Sequence, residues 1–226
     1  AYTECNLILS TGMSTLVEIE DALSILAFGF INGNSSKINP SREAFQEAFL
    51  LEEGKRMLKE RVTLLHCTTE YPAPMNEINL NAMLTMSNIF DLKVGYSDHS
   101  EGISVPTAAT ALGAILIEKH FTLDKSLPGP DHSASLEPDE LREMVDAIRA
   151  VELAMGNGKK QPMPSELKNR DSVRKSLVAD QNIKKGEVFN EENLAIKRPG
   201  NGVNPMSYWD YLGKTSTKHI YPDQPL

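Results

Sequence analysis

Four times within residues 1–154, a short run of β-branched and aliphatic residues gives way to a longer amphipathic stretch. That alternation is the strongest constraint on the fold, because strand-then-helix repetition builds a parallel sheet. The first strand is predicted at 6–13 (NLILSTGM), followed by a helix at 15–30 with Leu16, Ile19, Leu23 and Leu26 at helical spacing. A polar stretch at 32–41 leads into a second helix at 42–60, with Ser41 as N-cap and Glu43 in its first turn. The second strand is 62–69 (VTLLHCTT), followed by a helix at 79–90. The third is 93–97, with a DHSEG turn and a small-residue helix at 104–112. The fourth is 114–121 (AILIEKHF), then a loop containing PGPDH and a helix at 137–155, with Pro138 in its first turn and Gly156 past its end.

The periodicity ends at residue 156. Residues 156–172 read as a polar linker, and 173–226 as a small β-rich module with a KKGE turn and a helical turn at 191–193. The expected organisation is therefore an α/β domain over 1–155, a linker over 156–172, and a second domain of about 55 residues, near the lower limit for independent folding.

Charge divides along the same boundary. Residues 155–226 carry 12 Lys/Arg against 8 Asp/Glu, leaving 11 against 23 for residues 1–154. A net charge of −8 disfavours nonspecific nucleic-acid binding, which needs clustered cations, while a basic module beside an acidic one fits a part that helps hold an anionic ligand. No apolar run approaches the roughly 20 residues of a membrane span. Cys5 and Cys67 are too few for a disulfide framework or a cysteine zinc site, so the expected setting is a reducing cytoplasm. Residues 1–15 have no leader-like pattern.

In parallel α/β folds the ligand site forms at the carboxyl ends of the strands. Those ends carry Ser10-Thr11-Gly12, His66-Cys67-Thr68-Thr69, Ser97-Asp98-His99 and Glu118-Lys119-His120. Four polar ends argue for a ligand site over a merely solvated rim. His99 and His120 lie one βα repeat apart and can converge on a divalent ion of the Mn, Fe, Co or Zn type, or be two structural histidines bonded to loops. His66, among apolar neighbours, reads as a satisfied core histidine, and His219 as exposed. In the loop LPGPDHSASLEP, Asp131 is either held stiffly against a substrate hydroxyl or caps a tight turn. Lys197 and Arg198 precede a Pro-Gly turn, where Arg198 can fork onto a carboxylate or phosphate or simply be solvated. No GxGxxG, Walker loop, GxSxG or HExxH occurs.

The runs ILSTGM (8–13), LLHCTTEYPAP (64–74), VGYSDHSEGI (94–103), IEKHFTLDKSLPGPDHSASLEP (117–138), RKSLVA (174–179) and KRPGNG (197–202) resemble, in order and over nearly the whole chain, the sialic acid synthase family. That resemblance implies a TIM barrel followed by a small antifreeze-like (SAF) domain, with residues 1–155 matching barrel strands five to eight. It implies condensation of phosphoenolpyruvate with N-acetylmannosamine or a related N-acyl hexosamine, releasing phosphate. Residue by residue, His99 and His120 match the family's divalent metal ligands, usually Mn, with Mg or Co as alternatives. Ser10, Ser97 and Thr69 match phosphoenolpyruvate contacts, Thr69 standing where several members have Asn. Tyr71 and Asp131 match acceptor contacts. Arg198 matches the arginine that the SAF domain lends to the neighbouring subunit, which implies a domain-swapped homodimer.

Two other readings stand beside this one. The chain can be a synthase of legionaminic, pseudaminic or spore-coat nonulosonic acid, or, in another class, a non-catalytic carbohydrate-binding fragment. A complete eight-stranded barrel takes about 250 residues, whereas four βα units fit here. The expectation is an N-terminally truncated barrel with an open edge, inactive alone.

Overall fold

The computed structural model describes residues 5–33 and 38–226, so residues 34–37 of the predicted polar stretch lie outside the described residues. The chain divides into two compact units, 1–158 and 159–226.

The first unit is built on β1 (Leu7–Ser10), α1 (Leu16–Asn32), α2 (Arg42–Leu50), α3 (Glu52–Arg61), β2 (Val62–His66), α4 (Asn81–Phe90), β3 (Lys93–Asp98), α5 (Ser104–Ala111), β4 (Ile117–Lys119) and α6 (Pro138–Met155). The four strands pair in sequence order, all parallel, as a half-barrel sheet. Local chemistry sets the helix starts. Thr15 caps α1 in a capping box with Glu18, Ser41 accepts from the Ala44 N–H at the start of α2, and Glu137 with Glu140 boxes the start of α6 ahead of Pro138.

The strands alternate between two faces. Leu7, Leu9, Val62, Leu64, Val94, Tyr96 and Ile117 turn toward the helices and pack with Ile19, Leu23, Ala27 and Phe30 of α1 and Met83 and Met86 of α4. Leu23 and Leu64 are fully buried, each contributing about 1.5–3 kcal/mol through removal from water. The buried stripe of α1 is Ile19-Leu23-Ala27-Phe30, so Leu16 of the predicted stripe lies at its exposed end. The opposite sheet face carries Ile8, Ser10, Leu65, Gly95, Ser97 and Glu118, and Ile8 is largely exposed.

The single helix predicted at 42–60 is two. The chain breaks at Leu51 with extended backbone, φ −65° and ψ 139°. The cause is close packing: a Cβ at Gly54 would stand 2.0 Å from the Ala48 carbonyl oxygen, so only glycine lets the start of α3 fold against the end of α2. Three strands are shorter than predicted, β1 and β2 because their polar ends leave the ladder to become loops and β4 at both ends, whereas β3 runs one residue past the predicted 97, to Asp98.

The second unit holds α7 (Pro164–Leu167), α8 (Arg170–Val173), β5 (Ser176–Ala179), β6 (Leu194–Lys197) and α9 (Tyr208–Tyr211). The two short helices α7 and α8 occupy part of what sequence reads as linker. β5 and β6 pair antiparallel, and further bridges join Ile183 to Ile220 and Val188 to Thr215. Ala179, Ile183, Phe189, Leu194 and Ile220 form its core. The Asn193 side chain, fully buried, accepts from the Asn190 N–H at 2.9 Å and donates to the Val188 carbonyl at 3.0 Å, which fixes the turn predicted at 191–193.

Candidate active site

The open face of the half-barrel sheet collects polar side chains at the strand ends. Ser10 and Cys67 meet at 3.1 Å between Oγ and Sγ, at the ends of β1 and β2. Thr69 follows on the exposed loop, with its Oγ1 filling the space over Gly12. Across the pairing of β3 with β4, the Ser97 hydroxyl donates to Glu118 Oε1 at 2.7 Å.

Two residues beyond those, the histidines converge. The rings of His99 and His120 stand 5.5 Å apart, centre to centre, edge to face. The Tyr71 ring covers both, 4.2 Å from His99 and 5.3 Å from His120. Asp131, brought in by the proline-rich loop, has Oδ2 4.0 Å from His120 Nδ1. That loop is held from behind, where the buried Thr122 hydroxyl bonds His132 Nδ1 at 2.7 Å.

The tautomer of His99 follows from its partner. Nδ1 lies 2.7 Å from the Thr68 carbonyl, which can only accept, so Nδ1 carries the proton and Nε2 keeps a lone pair. The single proton of Ser97 goes to Glu118, and Ser97 Oγ is a long 3.5 Å from Nε2, so that lone pair stays open. A carbonyl-oriented imidazole is the usual second-sphere arrangement of a metal-ligating histidine. Among the described residues no group of three or more His, Cys, Asp or Glu is gathered to hold an ion. Two imidazoles, with His99 Nε2 open, could offer nitrogen donors to a borderline divalent ion and would suit Mg, an all-oxygen ion, less well.

His66, by contrast, points to the helix side and bonds the Ile78 carbonyl at 2.7 Å, the satisfied core histidine that its neighbours suggest. A cavity of about 410 Å³ lined by Thr11, His66, Asn79 and Met86 opens beside it and does not include His99 or His120. His219 is exposed and bonds Asn182 at 2.8 Å. Arg198 belongs to the second unit, where it is exposed and its Nε donates to the Val173 carbonyl at 2.9 Å.

The structure thus brings together His99, His120, Tyr71, Ser97 and Asp131, with Ser10 and Thr69 at the adjoining strand ends. Residues 1–160 match the NeuB family model, and residues 174–226 match the SAF domain model. The chain belongs to the NeuB family. Among relatives of this NeuB-family chain, N,N′-diacetyllegionaminic acid synthase of Campylobacter jejuni is 50% identical over 96% of the chain and 58% of its own length. N-acetylneuraminate-9-phosphate synthase of Homo sapiens is 39% identical over 70% of the chain and 44% of its own length. The crystal structure of N-acetylneuraminic acid (sialic acid) synthetase from Leptospira borgpetersenii, in complex with citrate, matches with a TM-score of 0.51 at 31% identity, covering 72% of this chain and 55% of that one. The chain spans about half the length of the curated relatives it matches.

Sequence reasoning places Glu118, Asp98 and Lys119 among the polar strand ends but assigns Glu118 no role and does not pair Asp98 with Lys119 behind the histidines. A signal existed for the first: Glu118 is two residues before His120 and so on the same face of the strand.

Proposed function

We propose that this chain forms part of a nonulosonic acid synthase that condenses phosphoenolpyruvate with an N-acyl hexosamine, and that residues 1–155 correspond to barrel strands five to eight. The observation that carries this reading is the convergence of His99, His120 and Tyr71 on the open sheet face, with Asp131 at its margin. The 50% identity with the C. jejuni enzyme favours a product of the N,N′-diacetyllegionaminic acid type over N-acetylneuraminate.

In the proposed reaction C3 of phosphoenolpyruvate forms a bond to the aldehyde carbon of the open-chain sugar. Water adds its oxygen at C2, and the C2–O bond to phosphate breaks. His99 and His120 would hold the divalent ion, Mn for preference, and a bound ion there supplies Lewis acidity toward the aldehyde oxygen. Ser10, Ser97 and Thr69 offer hydroxyls for the anionic donor. Tyr71 presents a partly exposed ring to the sugar, and Asp131 accepts from its hydroxyls. Fixing both substrates in attacking geometry is where much of the rate gain would arise. Arg198, exposed on the SAF domain, would complete the site of a partner subunit in a domain-swapped homodimer, forking onto a carboxylate or phosphate. The setting proposed is the cytoplasm. No helix among the described residues is long and apolar enough to cross a membrane.

The test is product analysis. The protein at its full natural length is incubated with phosphoenolpyruvate, Mn²⁺ and a panel of N-acyl hexosamines, and products are read by mass spectrometry with phosphate release in parallel. A nonulosonic acid formed with stoichiometric phosphate is the expected result. Sugar binding by residues 173–226 alone, with no condensation by the full-length protein, would favour a carbohydrate-binding role instead.

A further inference from the structure

Behind the two histidines, on the helix side of the sheet, lies a buried ion pair. Lys119 Nζ stands 2.6 Å from Asp98 Oδ2, with both side chains almost wholly removed from water, at 2% and 0% exposure. The two residues are register partners across β3 and β4, and each immediately precedes one of the histidines, Asp98 before His99 and Lys119 before His120. The network reaches past His99 as well. Lys119 Nζ donates to the Ser100 carbonyl at 2.6 Å, and Asp98 Oδ1 accepts from the Ser100 N–H at 2.9 Å and from its hydroxyl at 2.7 Å. Residues on both sides of His99 are thereby tied to the residue before His120.

Stability alone does not account for this arrangement. Taking two charges out of water costs about as much as their attraction returns, and well-packed apolar residues usually serve a fold as well or better. What the pair offers is geometry. Along a strand successive side chains point to opposite faces, so clamping Asp98 to Lys119 on one face fixes the direction in which His99 and His120 leave the other. Tyr96, two residues before Asp98 on the same face, is fully buried, and its hydroxyl has no hydrogen-bond partner among the described residues. That hydroxyl lies beside the Asp98 carboxylate but is neutral, so it cannot replace the charge of Lys119.

We propose that Asp98 and Lys119 are positioning residues, whose buried pair sets the separation and orientation of His99 and His120. This rests on the reading of the two histidines as a metal pair, and the test separates the two ideas. In the full-length protein Lys119→Met is compared with the double variant Asp98→Leu, Lys119→Met. Each is read by thermal midpoint, by Mn²⁺ affinity from electron paramagnetic resonance, and, free of metal, by nuclear Overhauser contacts between the His99 and His120 rings. Lys119→Met leaves Asp98 charged and buried, so its midpoint falls, and the double variant regains most of the loss. Both bind Mn²⁺ about 10- to 100-fold more weakly than the unsubstituted protein, and both lose the ring–ring contact.

A folded double variant with undiminished Mn²⁺ affinity and intact ring contact would overturn the inference. So would failure of both variants to fold, since a device for positioning alone is dispensable to folding once its charges are gone. Should His99→Ala bind Mn²⁺ as well as the unsubstituted protein, the metal reading fails by itself. The ring contact then decides: its loss in the double variant upholds the positioning role, and its persistence ends it.

Discussion

The Ser97 hydroxyl donates its proton to Glu118 Oε1 over 2.7 Å, at a position where β3 and β4 pair directly. Ser97 is buried and Glu118 exposed, so the carboxylate holds the hydroxyl in a fixed rotamer at the mouth of the sheet.

Removing that hydroxyl should cost binding more than folding. In Ser97→Ala water can solvate the exposed Glu118, so stability changes by less than about 1 kcal/mol. To hold the anionic donor Ser97 must turn its single proton from Glu118 to the substrate, so the net gain is the difference between two charge-assisted hydrogen bonds, on the order of 1 kcal/mol, and KM for phosphoenolpyruvate should rise by about three- to tenfold. Steady-state kinetics and a thermal melt on the full-length protein check both halves. An unchanged KM would remove Ser97 from the donor site.

The histidine pair gives a sharper expectation. Both rings are only partly buried, so His99→Ala and His120→Ala should fold, yet each removes one of two nitrogen donors. Turnover should fall below detection, and Mn²⁺ affinity by at least about 100-fold, more than the 10- to 100-fold typical of a second-sphere change. Chelation of the unsubstituted protein should abolish turnover and added Mn²⁺ restore it. Full activity after metal stripping would end the assignment.

The order of strands and helices was legible because aliphatic runs and amphipathic stretches carry distinct periods, and the strand ends could be recognised as site positions because parallel sheets place ligands there. The break at Leu51 was not, because it depends on how close Gly54 comes to the Ala48 carbonyl, a contact between residues that all suit a helix. Within the site, His99 and His120 stood out by residue type and spacing. Glu118 shares a strand face with His120, but its partnership with Ser97 shows only once the strands are in register. The Asp98–Lys119 pair was hidden for the same reason: two charged residues 21 positions apart reveal a partnership only when the strands are aligned.

The domain-swapped homodimer proposed above predicts complementation. Arg198→Ala alone and His99→Ala alone should each be inactive or nearly so. Mixed and reassociated in equal amounts, half the dimers carry one of each chain. In a swapped site each such dimer has one site with an intact barrel face and an intact Arg198, so activity should recover to about a quarter of the unsubstituted level. If Arg198 serves its own chain, every mixed dimer holds only defective sites and no recovery follows. Phosphate release, measured before and after mixing, distinguishes the two outcomes.

Gly95 links the sheet to the site through space rather than charge. It lies at the middle of β3, and a Cβ there would stand 2.5 Å from the Leu116 carbonyl oxygen and 2.6 Å from Leu65 Cδ2. The leucine side chain can turn aside, but the carbonyl cannot, because it already accepts the Tyr96 N–H at 2.9 Å in the link between β3 and the segment leading to β4. Gly95→Ala should therefore push these segments apart, at about 1–3 kcal/mol, the usual cost of overpacking a tight interior. At about 2–4 °C per kcal/mol for a chain of this size, the thermal midpoint should drop several degrees. Gly102→Ala is the control, because nothing lies within 4 Å of its Cβ and only its positive φ opposes the change. Since the strands that Gly95 separates carry His99 and His120 at their ends, Mn²⁺ affinity should fall with Gly95→Ala and hold with Gly102→Ala. Equal midpoints and equal affinities for the two variants would show that the sheet absorbs the methyl group without transmitting it to the histidines.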